Sequence, residues 1–212
     1  MKKILAWGCR LSLAVLLAGC AASPPRHYSL AASATGQAAS GGATRATDTG
    51  LLLSVAGIPA EADRPQLVVR DPVRDPAVQV LNDSLWAAPL RDQIRDALAF
   101  DVGRRLGSVD LRRLPDARAL PARRVEVRID RFDMVWGRFV ALDADWTDRA
   151  PEADRPRLCR ASVRLPAGEG VAALVDTQRR ALDELAALIA AVALGHPVDL
   201  QGKTTVSEFG CT

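Results

Sequence analysis

Strand-like alternation interleaved with two helix-like segments predicts an α/β sandwich built on a mixed sheet. Three observations carry this expectation. Apolar residues alternate with charged ones at Val125, Val127 and Ile129 and again at Val140, Leu142, Ala144 and Trp146, the period of a half-buried strand. Apolar residues recur at helical spacing from Leu90 to Leu106 and from Val171 to Leu194. The two kinds of segment follow one another within about 160 residues, near the usual size of one domain.

Taken in order, Leu51 to Ile58 is an apolar run of strand length closed by Pro59, and Leu67 to Arg70 is a second extended piece after Pro65. Leu90, Ile94, Ala97, Leu98, Val102 and Leu106 mark one face of a helix, with Pro89 suited to its first turn. Val125 to Phe132 and Val140 to Trp146 read as a hairpin around Gly137, and Cys159 to Leu165 alternates in the same way until Pro166-Ala167-Gly168 breaks it. In the last long segment Val171, Leu174, Val175, Leu182, Leu185, Leu188, Ile189 and Val192 share a face, and Gly195 and Pro197 end it. Beyond Ala186 this helix is apolar all round, so the sheet or another chain is expected to cover it.

The N-terminus is read separately. Lys2, Lys3 and Arg10 precede the apolar Leu11 to Ala18, and Leu17-Ala18-Gly19-Cys20 closes the run with small residues before a cysteine. This order is that of a cleaved signal peptide, and the apolar stretch is too short to span a bilayer, which takes roughly 20 residues. The expectation is cleavage after residue 19 and acylation of Cys20. Ala21 and Ala22 supply no acidic retention signal after the cysteine, which favours the outer membrane. Residues 20–50, rich in Ala, Ser, Gly and Thr, are expected to form a lipidated tether. Within it His27-Tyr28-Ser29-Leu30 is either a short strand or part of the tether. Residues 51–212 form the single folded domain.

Charge and cysteine content narrow the function. The chain carries 28 basic and 25 acidic residues. The signal removes three basic residues and no acidic one, leaving 25 against 25, so the pI of about 8.9 does not describe the mature chain. Nucleic acid is not an expected partner, because binding it takes a clustered basic excess. Cys9 leaves with the signal and Cys20 takes the lipid, leaving Cys159 and Cys211. In an oxidising compartment an even pair reads as a disulfide, worth roughly 3–4 kcal/mol in the chain-entropy model; the alternative is one buried thiol and one in a frayed tail.

Catalytic and metal-binding patterns are not expected. There is no G-x-S-x-G elbow, no H-E-x-x-H and no P-loop. The two histidines, His27 and His196, lie in the tether and at a helix exit. Asp143 and Asp145 share one side of a strand and read as a solvated face. No metal or cofactor is expected, and the chain is read as a non-enzyme.

Two segments stand out. In Asp63-Arg64-Pro65-Gln66, Pro65 removes an amide donor and restricts Arg64, so the corner either presents Arg64 to a partner or holds a surface pair between Asp63 and Arg64. Trp86, in Trp86-Ala87-Ala88-Pro89-Leu90, is either packed on the helix start or an aromatic anchor for a partner.

The lipobox, His27-Tyr28-Ser29-Leu30, the L-x-V-x-G-x-P motif of Leu53, Val55, Gly57 and Pro59, Asp63-Arg64-Pro65-Gln66-Leu67-Val68-Val69-Arg70, Trp86-Ala87-Ala88-Pro89-Leu90 and the closing amphipathic helix together resemble the ABC-type transport auxiliary lipoproteins of the PqiC type. The long Ala/Gly/Ser stretch between Leu30 and Leu51 and the linker-like Asp148 to Arg157 depart from that pattern. The resemblance implies a three-layer α/β/α sandwich similar to the anticodon-binding-like domain of the Tol-Pal translocation protein. It also implies an outer-membrane lipoprotein facing the periplasm, a non-catalytic auxiliary of an MCE-type substrate-binding protein and an inner-membrane permease that move lipid, and a capacity for homo-oligomeric rings. The competing expectation is an envelope-integrity lipoprotein that binds peptidoglycan or Tol-type proteins without a transporter.

Overall fold

The computed structural model describes residues 24–31, 49–71, 77–114, 120–198 and 204–212. Cys20 and most of the tether lie outside the described residues. Among the described residues eight strands and two helices occur in the order β1 (Arg26–Tyr28), β2 (Gly50–Gly57), β3 (Gln66–Arg70), β4 (Val78–Trp86), α1 (Leu90–Leu106), β5 (Ala122–Val135), β6 (Phe139–Arg149), β7 (Arg157–Pro166), α2 (Val171–Ala193) and β8 (Val206–Cys211).

All eight strands join one mixed sheet, ordered β1-β4-β3-β5-β6-β7-β8 with β2 also on β5. β5 is the long central strand. β2 runs parallel to its first half, from Gly50 opposite Ala122 to Gly57 opposite Arg128, and β3 meets its far end at Arg70 opposite Val135. β2 and β3 are thus successive pieces along one side of β5, separated by the Pro59–Pro65 corner. β5 to β8 form an antiparallel meander. Gly137 makes the β5–β6 turn at φ 57°, a left-handed conformation that a side chain disfavours. α1 ends on Gly107, left-handed at φ 65°, the usual helix stop.

The sandwich has two layers. α1 packs on β2, α2 packs on β6 and β7, and the two helices pack on each other, which places both on one face of the sheet. Arg105 Nη2 donates to Asp183 Oδ1 at 2.7 Å across their interface. The core lies between: Val125, Val127, Ile129, Leu142, Trp146 and Val163 from the sheet meet Ile94, Leu98, Val102, Leu174, Leu185 and Ile189 from the helices. The opposite face carries Glu126, Arg128, Asp130, Arg160 and Arg164, all exposed. The three-layer expectation is therefore corrected. Charged side chains at most alternate positions of β5, with Arg160 and Arg164 on β7, leave that face too little apolar surface to bury under a further helix.

The apolar end of α2 is covered by the chain's own sheet, with Leu188, Ile189 and Val192 buried in the core. β1 resolves the alternative left open at Tyr28: it pairs parallel with β4, Tyr28 opposite Trp86, and Leu30 next to it is fully buried. The folded unit thus begins before Leu51.

Candidate functional site

The Pro59–Gln66 corner is built by backbone geometry. Ala62 N and Asp63 N both donate to Pro59 O, and Arg64 N donates to Ala62 O, so the chain turns tightly where β2 ends. Trp86 N donates to Pro65 O at 2.7 Å, and Gln66 lies opposite Leu85. The structure thus brings Asp63, Arg64, Pro65 and Gln66 together with the backbone of Trp86. Asp63 pairs with Arg91 of α1 at 3.2 Å, not with Arg64, and the link fastens the corner to the helix. Arg64 is exposed.

Trp86 does not serve as a surface anchor. Its side chain is 5% exposed and stands edge-on to Phe132, ring centroids 6.3 Å apart. An indole shut in the core has no face left for a partner. Its role is to close the end of β4 beneath the corner, so the exposed groups there are Asp63, Arg64, Pro65 and, half-buried, Gln66.

The open face of the sheet is a charge lattice. Arg160 grips Asp145 through both nitrogens at 2.6 and 2.9 Å, and this hydrogen-bonded guanidinium holds the Asp145 carboxyl below the usual carboxylate range. Asp133, largely buried, accepts from Arg70 at 2.7 Å and from Arg131. These are structural ion pairs on a solvated face, the expected reading of Asp143 and Asp145. His27 and His196 are both exposed. Among the described residues no three His, Cys, Asp or Glu groups converge as metal ligands, and no helix is long and apolar enough to cross a membrane.

One corner of this face was not anticipated from sequence. Leu52, Arg124 and Arg149 stand in one row across β2, β5 and β6, and Arg112, from the α1–β5 connection, joins them around a groove. Counting back from Gly137 brings Arg124 only to within one residue of Arg149, because a bulge between Ile129 and Arg131 sets the final register.

Cys159 and Cys211 are joined in a disulfide between β7 and β8, where they stand directly opposite each other. The bond ties the last strand to the sheet.

Comparison with known proteins adds the family. The model of the ABC-type transport auxiliary lipoprotein component matches residues 28–190, most of the chain. No curated protein matches it. A crystal structure described as an uncharacterized protein is similar, with a TM-score of 0.59, 18% identity and coverage of 81% of this chain and 99% of that one. A protein from Xanthomonas campestris placed in the family DUF330 is similar with a TM-score of 0.52 and 18% identity, covering 71% of this chain and 86% of its own. At such identities these two likenesses speak for the fold.

Proposed function

The chain belongs to the ABC-type transport auxiliary lipoprotein components, and from that premise we propose that it is a non-catalytic subunit of an MCE-type system moving lipid between the membranes. Cys20 carries the acyl anchor, which holds the chain on the periplasmic face of the outer membrane. Several acyl chains hold where one binds only marginally. The stretch after Cys20 sets the reach of the domain; a flexible coil of 30 residues spans about 30 Å. The disulfide between Cys159 and Cys211 suits an oxidising compartment.

The observation that carries this reading is the family match across residues 28–190, which covers nearly the whole folded unit. The mechanism is positional: the domain holds a substrate-binding partner of the MCE type, itself seated on an inner-membrane permease, at a fixed place in the envelope. The contact surface is the corner of Asp63, Arg64, Pro65 and Gln66, stiffened by the Asp63–Arg91 pair and by the Pro65 carbonyl on Trp86. A homo-oligomeric ring of such domains would repeat the corner around an axis.

Co-isolation tests the proposal. The full-length protein, purified gently from envelopes, is expected to bring down an MCE-type protein and a permease. Arg64→Glu is expected to reduce that recovery several-fold without loss of fold, because Arg64 is exposed. Recovery of peptidoglycan or Tol-type proteins in place of a transporter would overturn the reading.

A further inference from the structure

We infer that the groove framed by Arg112, Arg124 and Arg149 binds the phosphate of an anionic lipid headgroup. Arg124 of β5 and Arg149 of β6 stand directly opposite each other, and like charges in such a pair destabilise a sheet. Elsewhere on this face most cations meet a partner: Arg160 meets Asp145, Arg70 and Arg131 meet Asp133, and Arg164 stacks on the Phe139 ring. At the groove no described carboxylate forms an ion pair with any of the three arginines. Arg112 Nη1 donates to Leu53 O at 3.2 Å and Arg149 Nη2 donates to Asp154 O at 3.1 Å. These bonds hold the two guanidinium groups in place and leave their charge uncompensated. The acidic residue nearest in register is Glu126, one row on and opposite Thr147. Glu126 lines the groove as well, so three cations face one carboxylate and a mature chain of zero expected net charge holds a local excess of two positive charges, in the fork geometry that suits a phosphate.

The walls select a lipid over a bare anion. The groove has a volume of about 570 Å³, with Leu52, Ser54, Thr147, Pro156 and the carboxylate Glu126 beside the arginines, within the range of small-molecule sites. A second hollow continues from Leu52, Arg112 and Arg124 to Leu111, Leu120 and Ala122, and Leu120 is 41% exposed. Cationic forks beside an apolar wall fit an amphiphile, its phosphodiester on the arginines and its glycerol and first methylenes on the accessible Leu52 and Leu120. An acidic peptide would use the arginines but not this wall. The choice of lipid also rests on the lipid-transport reading above.

The test uses the full-length protein in non-ionic detergent micelles doped with phosphatidylglycerol or phosphatidylcholine, with bound lipid counted by native mass spectrometry. The wild type is expected to retain phosphatidylglycerol in preference to phosphatidylcholine. Arg124→Glu and the milder Arg124→Gln are expected to lower retention about ten-fold and three-fold, with melting temperatures no lower than the wild type. Arg138→Glu, in the exposed β5–β6 turn, is expected to change nothing. Equal retention by wild type and Arg124→Glu, or equal loss in Arg138→Glu, would overturn the inference, as would unfolding of both Arg124 variants. Full displacement by equimolar inorganic phosphate would replace the lipid with a simple oxyanion. Loss of a co-isolated protein with lipid retention intact would make the groove a protein surface. Absence of lipid alongside intact co-isolation of a transporter defeats this inference alone and leaves the proposed function standing.

Discussion

At the C-terminal end of α2 the unpaired carbonyls meet no cation from the helix's own last turn. Two strand arginines take that place: Arg123 Nη2 donates to Ala193 O at 3.0 Å and Arg157 Nη1 to Val192 O at 2.9 Å. Arg123 satisfies the Ala193 carbonyl, Arg157 adds a second donor to Val192 O, which also accepts from Gly195 N at 3.1 Å, and both oppose the negative end of the helix dipole. Arg123 also holds both oxygens of Asp148 at 2.7 Å, and Asp148 is only 5% exposed. Removing one partner of such a pair strands the other in a poor solvent. Arg123→Met is therefore expected to cost about 3 kcal/mol, read as a lower urea midpoint. Asp101 is the opposite case. Burial, then the nearby Asp183 carboxylate, raise its carboxyl above 3.8, against the smaller pull of Arg105 and Arg104. A raised carboxyl keeps its proton in the folded chain after the unfolded chain has lost it, so stability falls as pH climbs from 3.8 through the raised value. Asp101→Asn removes that loss: its stability relative to wild type is expected to grow across this interval and stay level above it, as urea melts at pH 4 and pH 7 would show. Neither role was legible in the sequence. The partner of Arg123 lies in the stretch read as linker-like, and Asp101 looks like any charge on an amphipathic helix until its neighbours are known.

Among the elements, α1 and the start of α2 were legible to the residue because their apolar stripes begin and end at proline or glycine. β5, β6 and β7 were legible as alternation, each shorter by a few residues than the strand observed. β4 was not, because Asn82-Asp83-Ser84 places turn-forming residues inside a strand that leaves seven of nine positions exposed or half-buried; its pairing with β1 and β3 decides its structure. The register at the groove was also hidden. A bulge between Ile129 and Arg131 moves β5 by one residue against β6, so counting from the turn alone would set Arg124 opposite Ala150 instead of Arg149. β8 was anticipated only through Cys211. It is an edge strand of six residues with one buried position, Val206, and the disulfide holds it. Cys211→Ser is expected to destabilise the domain by roughly 3–4 kcal/mol and to expose the 204–212 segment to protease, and reducing agent should reproduce the effect in the wild type alone.

For the whole molecule, the α/β class and mixed sheet follow from the pattern of elements, whereas the number of layers does not. Two amphipathic helices fit equally well on opposite faces or side by side. The deciding information is the charge at alternate positions of β5 and β7, which leaves one face of the sheet wet and both helices on the other. That architecture separates the tasks. The helix layer and disulfide stabilise the fold, while the open face and the Pro59–Gln66 corner remain for ligand and partner. The corner's position was legible from Pro59 and Pro65, and its support was not, since it depends on Arg91 and on the Trp86 amide from a strand not recognised in sequence. The central claim, a transporter subunit engaged through this corner, is tested most directly by placing a photo-crosslinking residue at position 64 of the full-length protein in living cells. The account predicts a covalent adduct with an MCE-type protein or its permease. An adduct with peptidoglycan-associated or Tol-type proteins alone, or none at position 64 when the opposite face of the domain does crosslink to the transporter, would contradict it.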